Sequence, residues 1–452
     1  MAFSKSNSYT FTIIFIWLAS TTTQVHAASF SEILDKAVIN DLTYRASKYA
    51  WLRDQNDKKI ALAALLPSAQ INADTTSRKS TFVDQANRPT YDFKKKDIAL
   101  NLSQILFDLQ TYSQYESAEE QSKLALLVFQ KSSSQLITNT LQLYTNLLMA
   151  TDSLSFTLAE QDETQMRYRD VSQKVQAGIM TETDLAETQA QLERIKANVL
   201  SAEQNIIEAQ EALIDSSGIQ VQEVLALDSE KQFSDKPVSK LSEWLEHAQK
   251  RNLDIQIAKT NLAIAQSHEK ASQASYYPTV TGHASIKYHR NDYGTLINIP
   301  EENSQSIGVS LKYPLVSGGK RYYTNKMQSE NTLYYESILA KIEQDTNRSI
   351  RNLYHRLESG KQIIKANSQA VHFSKELIKM NKIKLQAGAT TTLEVLDNIS
   401  KLRLDQQSLA ESRYQYLVNY IELKRLCGTL TKKDLEEINQ HFNLPRKINK
   451  PS

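Results

Sequence analysis

Apolar residues along this chain follow two periods, and the two alternate in blocks. One is helical: Ile137, Leu141, Tyr144 and Leu148 stand at spacings of four, three and four, one stripe down a helix. The other has period two, with Ile98, Leu100 and Leu102 on one face and Ala99, Asn101 and Ser103 on the other. In order, the pattern predicts a helix from Ser31 to Leu66, ended by Pro67. A strand follows over Ile71-Asn-Ala73-Asp-Thr75, then a polar loop through Asn87, Pro89 and Lys94-Lys-Lys96, then the strand of Ile98. From about Thr111 to Val175 nothing breaks a helix, and a return helix runs to about Ser216. At 1.5 Å per residue, roughly 65 residues make a rod about 100 Å long, which no globular domain needs.

The second half repeats the first after an irregular stretch from Asp228 to Pro237. Ser242-Glu243 with Leu245 repeats Ser31-Glu32 with Leu34, Leu253 repeats Leu42, and Pro278 repeats Pro67 at the same offset. The incoming helix therefore reads as one piece in both halves. Val280, Ala284, Ile286 and Tyr288 oppose Thr281, His283, Ser285 and Lys287, and Ile307, Val309, Leu311 and Tyr313 oppose Gly308, Ser310 and Lys312. Ser317-Gly318-Gly319 opens a second long helix that reaches Gly388. Its return helix keeps Val395, Leu402, Leu409, Tyr416 and Leu423 at seven-residue spacing, the pattern of left-handed supercoiling. The helix reversals match too: Lys174-Val-Gln-Ala177-Gly178 before Thr181-Glu-Thr-Asp184, and Lys384-Leu-Gln-Ala387-Gly388 before Thr390-Thr391-Thr-Leu-Glu394. A repeat with its punctuation preserved defines the architecture.

Composition sharpens this picture. Ten glycines in 452 residues are far below the usual share of about 7%. No proline falls between Thr90 and Lys236 or between Leu315 and Leu444, as long helices require. A net charge of +2 gives no global field for nucleic acid. Lys5, the apolar run from Phe11 to Ala19 and Val25-His26-Ala27 read as a signal peptide cleaved before Ala28. That run is too short to span a membrane as a helix. Cys427, the single cysteine, has no disulfide partner within the chain.

Catalytic chemistry finds no constellation. The eight histidines are scattered, His283 with His289 lacks a metal-ligand partner, and Ser317-Gly-Gly-Lys320 lacks the earlier glycine of a phosphate loop. No enzyme, cofactor or metal site is expected. Four short strands, each apolar on one face and polar on the other, instead fit an outer-membrane barrel with lipid outside and water within. In lipid such strands must close on themselves, and four cannot, since the smallest known barrels have about eight. Two chains would supply eight strands and three would supply twelve. The plainer reading is an edge sheet on a soluble helical protein.

The residues resemble the TolC family, the outer-membrane channels of type I secretion and multidrug efflux. The likeness covers nearly all of the mature chain. Glu394-Val-Leu-Asp397, Arg413-Tyr-Gln-Tyr-Leu417-Val-Asn419 and Cys427-Gly-Thr-Leu430 carry it most specifically, with Asp235-Lys-Pro237 and Lys250-Arg-Asn-Leu253. The resemblance implies a mainly α protein with a β-barrel portion: a homotrimer with a 12-stranded barrel in outer-membrane lipid above a periplasmic α-barrel of long, coiled-coil-like helices. It implies partners at the tips, a periplasmic adaptor protein and an inner-membrane ABC or RND transporter. On that frame the segments are a signal peptide (1–27), a first repeat (28–230), a linker (231–240), a second repeat (241–428) and a tail near the tunnel's equator (429–452).

Four acids mark the helix starts after the turns, and they have two readings. Glu394 with Asp397, and Asp184 with Glu187, lie at i and i+3 on one helical face. In the first turn after a threonine cap, acids complement the helix dipole, and Thr391-x-x-Glu394 reads as a capping box. In the family, the positions of Glu394 and Asp397 ring the periplasmic entrance, and Asp184 matches a gate residue; such a ring favours cations. Ala177, Gly178, Ala387 and Gly388 likewise either reverse a helix or also dock the adaptor, together with Thr390. Thr390 stands where the family carries a latch arginine, and Leu385 where it carries a tyrosine of the same network. Lys94-Lys-Lys96 reads as a solvated outward loop. The expected function is a passive exit duct for drugs or secreted polypeptides. The alternative is a cell-surface or periplasmic coiled-coil structural or adhesive protein.

Overall fold

The computed structural model describes residues 27–80, 91–227, 240–292 and 301–448. The expected signal peptide (except Ala27), the stretch from Asp228 to Pro237 and the loop at Asn87 and Pro89 lie outside these. The chain runs α1 (Phe30–Asn40), α2 (Leu42–Ala63), β1 (Ser68–Ser80), β2 (Tyr91–Phe107), α3 (Leu109–Gln176), α4 (Glu182–Ser217) and β3 (Glu223–Leu227). It continues through α5 (Leu241–Arg251), α6 (Leu253–Ala274), β4 (Thr279–Asp292), β5 (Glu302–Lys312), α7 (Lys320–Gln386), α8 (Thr392–Leu426), α9 (Lys432–His441) and β6 (Phe442–Lys447). The rods α3 and α7 are 68 and 67 residues long, about 100 Å each.

The incoming helix differs from its sequence reading in both halves. It breaks at Asp41, where ψ is 117°, and at Asn252, where ψ is 127°. The reason is a helix-end splice. Asn252 accepts from the Ile255 N–H at 2.9 Å, capping α6, while its Nδ2 donates to the Leu426 carbonyl at the end of α8 at 2.7 Å. An aspartate cannot donate, so the first half divides the task. Asp41 accepts from the Tyr44 N–H at 2.7 Å, capping α2, and Asn40 Nδ2 donates to the Ser217 carbonyl at the end of α4 at 2.6 Å. Orphan groups of two helix ends are thereby satisfied at one point. Gly428 lets the chains meet there, since a Cβ would lie 2.5 Å from the Arg251 carbonyl oxygen. So α2 and α4 lie in succession along α3, and α6 and α8 along α7.

The core sits where the splices are. Leu141, Tyr144 and Leu148 from the predicted α3 stripe are buried against Phe30, Ile206, Leu213, Val224, Leu417, Ile421 and Phe442. Sequence reading gave no sign of β3, β6 or α9. The strands pair antiparallel, Val224 opposite Arg446, and Ala28 bridges to Val224. The Tyr144 hydroxyl donates to the Leu225 carbonyl at 2.6 Å and accepts from the Leu225 N–H at 3.1 Å.

The other sheet is antiparallel throughout, in the order β1-β2-β4-β5, with β1 and β5 as open edges. Its register puts like with like. Ile71 faces Leu100, which faces Ile286, and Leu102 faces Ala284, which faces Ile307. Directly opposed residues share a face, so one side is mostly apolar, interrupted on β5 by Gln305 opposite Ile286 and Asn303 opposite Tyr288. That side is not covered within the chain: Ile71 is 72% exposed and Ile307 is 90% exposed. On the other face Gln70, Asn101, Ser285 and Ser306 form a row, and Asp74, Asp97, His289 and Glu302 form another. Lys94-Lys-Lys96 is not loop. It lies in β2, paired with Ser77, Thr76 and Thr75, because the ladder extends well beyond the apolar run. Among the described residues no helix is long and apolar enough to cross a membrane.

Candidate functional site

At the end of the rods remote from the sheet, each long helix reverses into its return helix. Both reversals are Schellman motifs. In the first, the Ile179 N–H donates to the Lys174 carbonyl at 2.8 Å and the Gly178 N–H to Val175 at 2.9 Å. In the second, Ala389 donates to Lys384 at 2.8 Å and Gly388 to Leu385 at 3.1 Å. The glycines have φ of 72° and 69°, a conformation that costs other residues energy. A Cβ on either would meet nothing within 4 Å. Ala177 and Ala387 are exposed beside them, so the smallness here leaves backbone open to an approaching surface.

The acids after the turns separate in detail. Asp184 completes a capping box: its N–H donates to Thr181 Oγ1 at 3.2 Å, and its carboxylate accepts from the Thr181 N–H at 3.0 Å. Hydrogen bonds from the Thr181 N–H, then from its hydroxyl, hold the Asp184 carboxyl below its usual range. The expected box at Thr391 is only half made. The Glu394 N–H donates to Thr391 Oγ1 at 3.2 Å, but the Glu394 carboxylate accepts from the Thr390 hydroxyl instead. Glutamate can close such a box, as Glu32 does at Ser29, but here the neighbouring Thr390 hydroxyl takes the carboxylate. Glu394 and Asp397 are exposed while Val395, Leu396, Asn398 and Ile399 are buried, so the acids lie off the packed face. Glu187 is exposed as well, next to the buried Thr188. The two tips lie at one end of the molecule, where Gln191 of α4 donates to Ser400 of α8 at 3.4 Å.

A second set of groups was not foreseen. Between the two helical hairpins, Tyr414 donates to Asp152 at 2.7 Å and Gln407 to Ser153 at 2.6 Å. Further toward the tips Arg403 pairs with Glu160 at 2.5 Å, Ser400 donates to the same Glu160, and Lys382 pairs with Glu163 at 2.9 Å. Glu160 is only 3% exposed. Burial pushes the Asp152 carboxyl up from its ordinary value. The one sequence signal was the presence of Asp152 and Glu160 inside an apolar-striped helix, where charges are rarely buried unpaired. Among the described residues no cluster of His, Cys, Asp and Glu could hold a metal ion.

Comparison with known proteins bears on the whole chain. A family model described as outer membrane efflux protein matches residues 33–218 and again 244–429. The offset between those two segments is that between Pro67 and Pro278. The chain is 27% identical to outer membrane protein TolC of Escherichia coli over 88% of its length and 82% of that protein's. It is 22% identical to the alkaline protease secretion protein AprF of Pseudomonas aeruginosa, covering 90% and 85%. Among solved structures it is similar to the Campylobacter jejuni CmeC outer membrane channel, with a TM-score of 0.79, 17% identity, and coverage of 92% and 90%. That likeness shows the fold.

Proposed function

This chain belongs to the outer membrane efflux protein family, and on that premise we propose how its parts serve as an exit duct. It is an outer-membrane channel for efflux or type I secretion, not an enzyme. One observation carries the mechanism: a four-stranded sheet with one exposed apolar face, one polar face and two open edges. In lipid those edges must be paired. Three copies joined edge to edge through β1 and β5 would close a twelve-stranded barrel, apolar side to lipid and the Gln70 and Asp74 rows to the lumen. The rods would continue that lumen through the periplasm. The homotrimer is thus part of the proposal.

At the far end Glu394, Asp397, Asp184 and Glu187 would ring the entrance, repeated in each copy. Closely set carboxylates favour cations and bind polyvalent ones, because like charges focus the field in a narrow opening. Capping does not compete with this role. Asp184 satisfies its helix end with one part of its carboxylate, and Glu394 and Asp397 remain exposed. The exposed Ala177, Gly178, Ala387 and Gly388, with the half-buried Thr390 beside them, would dock a periplasmic adaptor, and an inner-membrane ABC or RND transporter would supply the energy. Segments 28–230 and 241–428 would each contribute one hairpin to barrel and tunnel, joined by 231–240, with 429–452 at the equator.

Single-channel conductance of the purified protein in a planar bilayer tests this. The expected result is a cation-selective pore blocked by a trivalent metal ion, with block weakened at least tenfold in Glu394→Ala/Asp397→Ala. A pore whose selectivity and block ignore the substitutions would return these acids to helix capping alone. A folded oligomer that does not conduct would overturn the duct.

A further inference from the structure

We propose that Lys94 and Lys96 form a cationic collar on the outside of the sheet that binds the phosphate groups of lipid headgroups in the outer leaflet. The inference rests on the reading of the sheet as a membrane barrel and adds to it a specific lipid chemistry. Register carries the argument. Ile98, Leu100 and Leu102 face the lipid, and two-residue alternation places Lys96 and Lys94 on that same face. They lie beyond the apolar rows, toward the hairpin ends and away from the helices. The last largely apolar row is Ala73, Ile98 and Tyr288, ending in Asn303 on β5; the next is Thr75, Lys96 and Arg290. A tyrosine just inside a row of cations is the arrangement expected where hydrocarbon gives way to headgroups.

Acids gather on the polar face at this height. The adjacent row on the polar face holds Asp74, Asp97, His289 and Glu302. Lys95, between the two collar lysines, points to that face and pairs with Asp97 at 2.8 Å. On the outer face Arg290 pairs with Glu301 at 3.2 Å. Lys94 and Lys96 are exposed and make no ion pair among the described residues. Asp292 stands opposite Lys94 in the register, whereas Lys96 lies between Thr75 and Arg290, which makes Lys96 the stronger member. A lysine here can lay its methylene stem along the apolar face and place its ammonium at headgroup level. The partner that fits is a phosphate-bearing lipid: apolar below, anionic at the height of the ammonium groups.

The test uses the full-length protein in phosphatidylcholine vesicles, with spin-labelled phosphatidic acid and spin-labelled phosphatidylcholine as the two probes. Electron paramagnetic resonance reads the relative affinity of each lipid for the protein's rim. The wild type should prefer the phosphatidic acid probe, and Lys94→Gln/Lys96→Gln should lose about fivefold of that preference per lysine. Lys95→Gln, one residue away but facing the lumen, should leave it unchanged, and Lys94→Arg/Lys96→Arg should retain it. The collar is overturned if the wild type shows no preference, if the double glutamine variant keeps it, or if Lys95→Gln removes it equally. Conductance from the same vesicles separates the two readings. A conducting protein without lipid preference sinks the collar alone, and a protein that neither inserts nor conducts sinks the duct with it.

Discussion

The seam inside each helical hairpin and the seam between the two hairpins are built from different chemistry. Within the second hairpin, Ile378 of α7 packs on Val395, Leu396 and Ile399 of α8 near the tip, and Ile350 and Leu357 pack with Tyr416 and Leu423 higher up. The predicted seven-residue stripe supplies much of α8's side of this contact. Polar contacts across it among the described residues include Ser374 with Asp405 and Asn367 with Ser408, neither of them an ion pair. The first hairpin uses Ile195, Val199, Ile206 and Leu213 of α4 in the same way. Between the hairpins, by contrast, α3 meets its neighbours below the equator through Asp152, Ser153, Glu160 and Glu163. Apolar seams are non-directional and resist water. The ionic seam fixes register by pairing specific groups, and its charges regain hydration when it parts, which offsets much of the cost of separation. Each hairpin is therefore the cohesive unit, and the line between hairpins is held by specific charge pairs.

The largest effect should come from putting a charge into a dry seam. Val395 is fully buried, so Val395→Asp should destabilise by about 4 kcal/mol, since the new carboxylate has no partner. Thermal unfolding of the purified protein would show it as a large fall in Tm. A variant that melts like the wild type would mean this seam is wet.

Next comes the ionic seam. Glu160→Ala leaves Arg403 largely buried without its carboxylate and should cost about 3 kcal/mol. Replacing both, as Glu160→Met/Arg403→Leu, should recover most of that loss, because apolar groups of similar volume need no partner. Chemical denaturation of the two variants side by side measures the difference. If the double variant were as damaged as the single one, shape and not charge pairing would hold the seam.

The smallest effects lie at the caps, where the two repeats diverge. Thr181→Ala breaks a complete box and Thr391→Ala half of one, so fraying should be greater at the start of α4 than of α8, by up to about 1 kcal/mol. Amide hydrogen exchange over the first turn of each helix reads this directly. The Asp184 carboxyl is held below its usual range, so its contribution is present above the unfolded pKa and is lost as pH falls through the folded one. The difference between the tips should therefore begin to shrink as pH falls below about 4 and vanish only below the lowered folded pKa. If exchange at α4 did not change with acid, the Asp184 side of the box would be contributing nothing.

Much of the tip geometry was legible because its determinants are local. The Gln-Ala-Gly turns declared themselves, since only glycine settles easily into a positive φ. The acids after them were found by their place behind threonine. What local reasoning mistook was the partner of Glu394, because the adjacent Thr390 hydroxyl competes with the cap N–H for its carboxylate. The loop reading of Lys94 to Lys96 failed for a related reason. Three lysines read as solvent, but a ladder extends as far as its neighbour strand pairs with it.

Sequence alone determined the repeat, the two long rods, the four two-faced strands and the reversal at the tips. Each follows from a period, a break or a cap written into consecutive residues. Tertiary structure alone decided the helix breaks at Asp41 and Asn252, where Asn252 alone, and Asp41 together with Asn40, cap one helix while joining the end of another distant in sequence. It also decided the pairing of β3 with β6, and the ionic seam in which Glu160 finds Arg403. These depend on which groups of remote segments come to lie opposite one another once the rods are packed, and no periodicity encodes that.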